Sequence, residues 1–500
     1  MKSKNMMSGA LILSVSGVLA KVFSAIYRIG LTRILGGEGI GLYQLIFPVY
    51  SLCVVLATAG IPMAISKAVA KYKNSDASIL KKSFIYTSLI SLILAFILLF
   101  GNKFLAELQG SRELHICYII LAPSIVLVSF SSVLRGYFQG KHNFTPSALS
   151  NILEQFTKFL VGLILSLSLL KVGLIASIVG AVVSIVVSEI ISILVLLFYI
   201  KKHYKKGAYV DISYKELTKE IVPITLTNLI LPISSFVDSI LVVNLLNLNF
   251  SNNVSVFLYG LESGAVASLV SLPTIFSFAI ASVILPNIVS SVSFANQSNK
   301  LSFATKIILI ISVPCVVAFL FMPERLIELL YGNRLNSFGI NGVKIASQLL
   351  AISGLGVVFL AVNQLFSSAL QAIDKSNITI RNLIIAVAVK FILEIAFMPS
   401  RVLNIYVLAV ATSLCYVVAM SLNYVEIRQN FNLKINIMFA AKLILCNAIM
   451  VVSLLVVLIL GQGIFNTLLA ILVAVIVYFV SLFVFKIFTQ KEKAMLKYKN

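Results

Sequence analysis

"AKVFSAIYRIGLTRILGG", Ala20–Gly37, is mostly apolar yet carries Lys21, Arg28 and Arg33. The preceding "MMSGALILSVSGVLA", Met6–Ala20, extends the apolar run beyond the length of a bilayer crossing. A charge at the bilayer centre costs about 2.5–3.5 kcal/mol on insertion scales. Cations kept there imply either a structural ion pair, for which Glu154, Glu189 and Asp238 are the candidates, or a hydrated cavity. Lys21 and Arg28 are seven residues apart, about two helical turns, so they share one face. Arg33 lies off that stripe, toward the outer end, where a snorkelling interface anchor is the competing use.

The rest of the chain repeats the apolar theme. Of 500 residues, 60% are hydrophobic and only 11% are charged. Soluble domains are nearer half apolar and a quarter charged, so the fold class is an all-α, polytopic membrane protein. The first apolar run has no small-residue cleavage site and continues through charged residues, so it reads as retained helix. The net charge of +22 would suggest nucleic acid in a soluble protein. Here it is topological, facing the cytoplasm and anionic membrane lipids, and no nucleic-acid partner is expected. Cys53, Cys117, Cys315, Cys415 and Cys446 sit singly in apolar runs and read as small buried hydrophobes. There is no zinc spacing, no phosphate-binding G-x-x-x-x-G-K-[ST] loop and no G-x-S-x-G elbow. The chain is expected to be no enzyme, with no metal and no cofactor.

Apolar segments fall at 8–35, 40–66, 83–101, 115–134, 146–170, 173–200, 221–246, 263–289, 303–323, 344–371, 379–399, 403–424, 437–460 and 464–487, about fourteen spans by the length criterion. Basic residues test the topology. With the N-terminus in the cytoplasm, the inside loops collect Lys67, Lys71, Lys73, Lys81 and Lys82, then Arg135 and Lys141, then the 201–220 stretch and the C-terminal tail. The outside keeps few, such as Lys103, Arg112 and Arg401. This asymmetry places both termini in the cytoplasm, in a bacterial plasma membrane.

Three echoes, each offset by six spans, suggest two parallel repeats. "FSSVLRG" from Phe130 ends the fourth span, and "FSSALQA" from Phe366 ends the tenth. Pro48 and Pro62 interrupt the second span, and Pro273 and Pro286 the eighth, as breaks suited to a hinge or gate. Lys158-Phe159 in the fifth span matches Lys390-Phe391 in the eleventh. The expected organisation is an N-lobe over 1–200, a cytoplasmic linker over 201–220, a C-lobe over 221–430, and two added helices with a basic tail over 431–500.

Acids within spans are Glu154, Glu189, Asp238 and Glu394. Glu154 and Lys158 stand at i, i+4 in the favourable order, Lys390 and Glu394 in the less favourable one, so mutual neutralisation competes with a coupling role for both pairs. Asp238 sits in a proline-broken span, where freed carbonyls help to hold a cation, and Lys390 is an alternative partner for it.

"YRIGLTRILGGEGIGLYQLIFPVYSL", Tyr27–Leu52, followed by "GIPMAISKAVAKY", Gly60–Tyr72, resembles the opening of the stage V sporulation protein B group. That group is the polysaccharide-transport branch of the superfamily that also holds the multidrug (MATE) exporters and the MurJ-type lipid II flippases. The resemblance implies two six-helix lobes plus two C-terminal helices. It implies alternating-access transport of undecaprenyl-pyrophosphate-linked cell-wall saccharides from the inner to the outer leaflet, in spore cortex or wall synthesis, by a monomer. Lys21, Arg28 and Arg33 would stand where the flippases' cavity cations bind pyrophosphate. Asp238, Asn382 and Thr412 would match parts of the flippases' sodium site. Ala386 and Lys390 depart from that pattern, which leaves sodium or proton coupling open. Two other readings stay beside this one: a cation-coupled multidrug antiporter, served by Glu154 and Glu189, and a non-transporting scaffold of wall assembly.

Overall fold

In the computed structural model, the described residues are 2–72, 75–203, 213–277, 279–280, 294–433, 436–461 and 463–488. They are helical, with no β-strand among them beyond one isolated bridge between Ser337 and Ile340. In chain order the helices are α1 (Lys2–Thr58), α2 (Ile61–Lys71), α3 (Asp76–Leu108), α4 (His115–Gly140), α5 (Thr145–Leu169), α6 (Leu174–His203) and α7 (Tyr214–Leu246). Next come α8 (Asn252–Gly260), a π-helical turn (Leu261–Val266) and α9 (Ala267–Val270). There follow α10 (Phe294–Phe321), α11 (Pro323–Tyr331), α12 (Gly342–Ala372), α13 (Ser376–Phe397), α14 (Tyr406–Asn430), α15 (Ile437–Leu460) and α16 (Ile464–Val484).

Among the described residues, twelve helical segments are long and apolar enough to cross a membrane. The first of them, Ile12–Lys71, is 60 residues long, about twice what one crossing needs. Gly36 divides it, with φ 70° and ψ −173° inside α1. Arg28 and Phe47 would lie about 28 Å apart along a straight helix. The Arg28 guanidinium is instead 5.8 Å from the centre of the Phe47 ring. Gly36 therefore reverses the chain, and α1 is two crossings joined by a glycine, as the 8–35 and 40–66 runs imply. Only glycine adopts that φ without strain, and a Cβ here would also meet Arg334 O at 2.9 Å. Reading Ile12–Lys71 as two crossings and adding the charge-bearing α13 recovers the expected count of about fourteen.

Pro48 is a correction. It was expected to break the second span, yet the helix runs through it to Thr58. The break comes later, at Ala59–Gly60, and Pro62 sits in the first turn of α2, where its missing N–H leaves no gap. Pro273 is buried within a helical stretch, and Pro286 lies outside the described residues. So does most of the 201–220 linker.

The chain forms two compact units. One comprises Met1–Ser268, Arg334–Gly342 and Ile395–Ile405, and the other Leu269–Asn333, Val343–Glu394 and Tyr406–Asn500. The first unit thus takes in α7 and α8, which lie beyond the N-lobe boundary read from the sequence. Inside it, Gly37 and Gly41 on α1 face Gly260 at the end of α8, and Gly264 in the following turn packs on Ile40. A Cβ on Gly41 would stand 2.2 Å from Val256 O, and one on Gly260 would stand 2.4 Å from Gly41 Cα. Lipid supplies no hydrophobic drive between helices, so close backbone packing of this G-x-x-x-G kind holds them instead. Gln109, fully buried, ties α3 to two other helices by donating to Leu45 O (2.7 Å) and Ser239 Oγ (2.8 Å). In the second unit, α10, α12 and α14 share a core of Leu301, Ile308, Leu365, Phe366 and Ile427. There α15 and α16 pack on α10 through Cys446, Met450 and Tyr478, whose hydroxyl donates to Ile310 O at 2.7 Å. All five cysteines are free, four of them buried.

Candidate functional site

The first unit holds the charged side chains of interest, and α1 supplies the opening pair. Lys21 and Arg28 are half-buried, while Arg33 is exposed. Thr32 donates back to Arg28 O at 2.8 Å, which satisfies its hydroxyl within the helix. Arg28 lies against Phe47 from the returning half of α1. From α5, the Lys158 ammonium is 5.5 Å from the same ring and 5.9 Å from the Tyr27 ring. Both distances are within cation–π range. Two cations on one ring are no more than about 11 Å apart, and at an effective dielectric near 20 they repel by about 1.5 kcal/mol or more.

Glu154 forms its ion pair with Arg135 rather than with Lys158, which corrects the i, i+4 pairing read from the sequence, although its charge still acts on Lys158. Its Oε2 is 2.5 Å from Arg135 Nη2, and both side chains are largely buried, at 12% and 19% exposed. Arg135 also donates to Ser192 Oγ (2.8 Å) and Ser150 Oγ (3.2 Å), so α4, α5 and α6 converge on its guanidinium. Gln155 donates to the other oxygen of Glu154 at 2.9 Å. Glu189 is buried on α6, where Ser131 Oγ donates to it at 3.4 Å. Sequence reasoning placed Arg135 in a cytoplasmic loop, because it falls just past the apolar core of its span. It is in fact within α4.

The second unit carries the repeat of this seam in neutral form. Ser131 of "FSSVLRG" meets Glu189, and Ser367 of "FSSALQA" accepts from Asn423 Nδ2 at 3.0 Å, again between a fourth and a sixth helix of the set. Asn423 also donates to Asn363 Oδ1 (2.7 Å) and accepts from Asn382 (2.9 Å). Asn382 is therefore held in an amide chain across α12, α13 and α14. Lys390, the counterpart of Lys158, is 7% exposed and sits 3.6 Å from fully buried Glu394. Thr412 is half-buried on α14 of this unit, and Asp238 is half-buried on α7 of the first. Among the described residues, no cluster of three or more His, Cys, Asp or Glu side chains suits a metal ion.

Residues 6–292, more than half the chain, match the family described as polysaccharide biosynthesis protein. The chain belongs to that family. Among its relatives in Bacillus subtilis (strain 168), the uncharacterized membrane protein YabM is 28% identical over 440 residues, covering 84% of this chain and 80% of YabM. Stage V sporulation protein B is 25% identical over 446 residues, 83% of each chain. Lipid II flippase MurJ is 22% identical over 484 residues, 90% of this chain and 87% of MurJ. Two solved structures share the fold. Lipid II flippase MurJ in an inward closed conformation superposes with a TM-score of 0.72 at 20% identity, over 95% of this chain and 98% of that one. An inward-facing MATE multidrug transporter gives 0.67 at 17%, over 84% and 97%. This member of the polysaccharide biosynthesis family is thus a multi-pass membrane protein with the MurJ/MATE fold, and its relatives support a flippase or transporter role.

Proposed function

We propose that the protein flips undecaprenyl-diphosphate-linked cell-wall saccharides from the inner to the outer leaflet by alternating access. The observation that carries this reading is Arg28. It is a half-buried guanidinium on an apolar helix, kept on one face with Lys21, in a family whose relatives include a lipid II flippase. A diphosphate in hydrocarbon is as poorly tolerated as an arginine, and within a hydrated cavity each lowers the other's burial cost. The prenyl chain stays in lipid and needs no protein charge. Of the two carboxylates a drug antiporter of the same fold would use, Glu154 is committed to Arg135, while Glu189 is buried on α6 with Ser131 donating to it. Both termini are assigned to the cytoplasm.

The test is rescue of a bacterium depleted of its essential lipid II flippase. Wild-type protein should restore growth, and Arg28→Ala at equal membrane abundance should not. Rescue by Arg28→Ala, or none by the wild type, counts against the proposal.

A further inference from the structure

Three turns of the first unit enclose a cavity of about 300 Å³. They are the α1 reversal after Gly36, the connection of α3 to α4 at Gly110–Glu113, and the start of α8 at Asn252. These turns follow the first, third and seventh crossings, so all three lie on the face opposite the N-terminus. With that terminus in the cytoplasm, this is the outer face. Leu42 and buried Val256 supply an apolar part of the wall.

The remaining side chains decide what fits. Glu38, half-buried, and Glu113, exposed, line the cavity and make no hydrogen bond or ion pair with a described residue. Two such carboxylates repel a phosphate or any other anion. Arg112 in the same wall is paired with Glu107 at 3.3 Å. A hard divalent cation needs six or more oxygen ligands and no guanidinium beside them. The Asn252 amide is already used, donating to Gly110 O and accepting from Asn247 Nδ2 (3.1 Å). What stays available is two carboxylate acceptors, the Ser111 hydroxyl and the Asn253 amide, next to an apolar patch. A neutral ring with many hydroxyls and apolar C–H faces satisfies that set. The volume is at the small end of ligand pockets, suited to a compact group and not to a long chain.

We propose that this cavity binds a neutral saccharide ring and serves as the outer-face landing site for the sugar head group of the cargo. The landing role rests on the flippase reading and adds to it a site for the head group.

The test is saturation-transfer NMR of the full chain in detergent, with N,N′-diacetylchitobiose as the neutral probe and sodium phosphate and calcium chloride as competitors. Saturation should pass from the wild type to the ring protons of the disaccharide, and neither salt should displace it. Asn253→Trp, at an exposed position, fills the cavity and should abolish the transfer. Glu38→Ala should raise the Kd about tenfold, as expected for lost hydrogen bonds to a charged group. Displacement by calcium or phosphate, or unchanged binding in both variants, overturns the site. A wild type that binds no disaccharide also overturns it, and if that protein moves a diphosphate lipid across liposomes the flippase reading stands. Disaccharide binding without lipid movement overturns the flippase reading and the landing role, while the saccharide site stands.

Discussion

Arg135→Gln is the perturbation whose size the geometry constrains best. The change removes a 2.5 Å contact to Glu154 and two hydroxyl partners, Ser192 and Ser150, from a site where both charged side chains are less than one-fifth exposed. Breaking a buried pair by deleting one partner costs about 3–5 kcal/mol, mostly the penalty of the orphaned charge. Lys158 limits this loss. It lies one turn from Glu154 in the favourable order, and turning from the Phe47 ring toward Glu154 would recover part of the penalty. The expected net cost is about 2–4 kcal/mol. Lys158→Gln removes the substitute partner, so Arg135→Gln with Lys158→Gln should be worse than the sum of the two by about 1 kcal/mol or more, outside the 0.3–0.5 kcal/mol scatter of independent sites. The chain has no tryptophan, so unfolding in mixed detergent and SDS is followed by far-ultraviolet circular dichroism. Additive singles, or an Arg135→Gln cost below about 1 kcal/mol, would refute this view of the triad.

Two further outcomes follow from close contacts. Gly260→Leu puts a side chain where even a Cβ stands 2.4 Å from Gly41 Cα, so α1 and the α8 segment must separate. A loss of about 1–3 kcal/mol or more is expected in the same unfolding assay, and wild-type stability would contradict the packing. Lys390→Ala leaves Glu394 buried without its ammonium, and Glu394→Gln should restore much of the lost membrane abundance measured by immunoblot. Abundance left unrestored by Glu394→Gln would contradict the pairing.

Much of the architecture is legible in the sequence because lipid imposes lengths. Apolar runs of about 20 residues mark crossings whatever their neighbours are, and the gap between the 8–35 and 40–66 runs is where the chain reverses, at Gly36. The repeat was visible too, since Ser131 and Ser367 stand in near-identical heptapeptides, and each makes an interhelical contact to the sixth helix of its set. Partner choice was not legible. The i, i+4 rule sees only one helix, so it offered Lys158 to Glu154, while a guanidinium from α4 had the better geometry. Arg135 lay too near the end of its apolar run to be counted as interior. Pro48 misled for a related reason: in a helix packed among others, a proline's lost hydrogen bond need not end the helix. The short amphipathic α11, Pro323–Tyr331, is charged on one side and gives no membrane-length signal.

The central claim is tested most directly with purified protein in liposomes carrying a fluorescent undecaprenyl-diphosphate saccharide. Loss of inner-leaflet label to an external quenching agent reads transbilayer movement. The wild type should move the diphosphate lipid across the bilayer, and Arg28→Ala, equally reconstituted, should fall to the rate of empty liposomes. Movement by Arg28→Ala at the wild-type rate, or wild-type liposomes no faster than empty ones, would contradict the account.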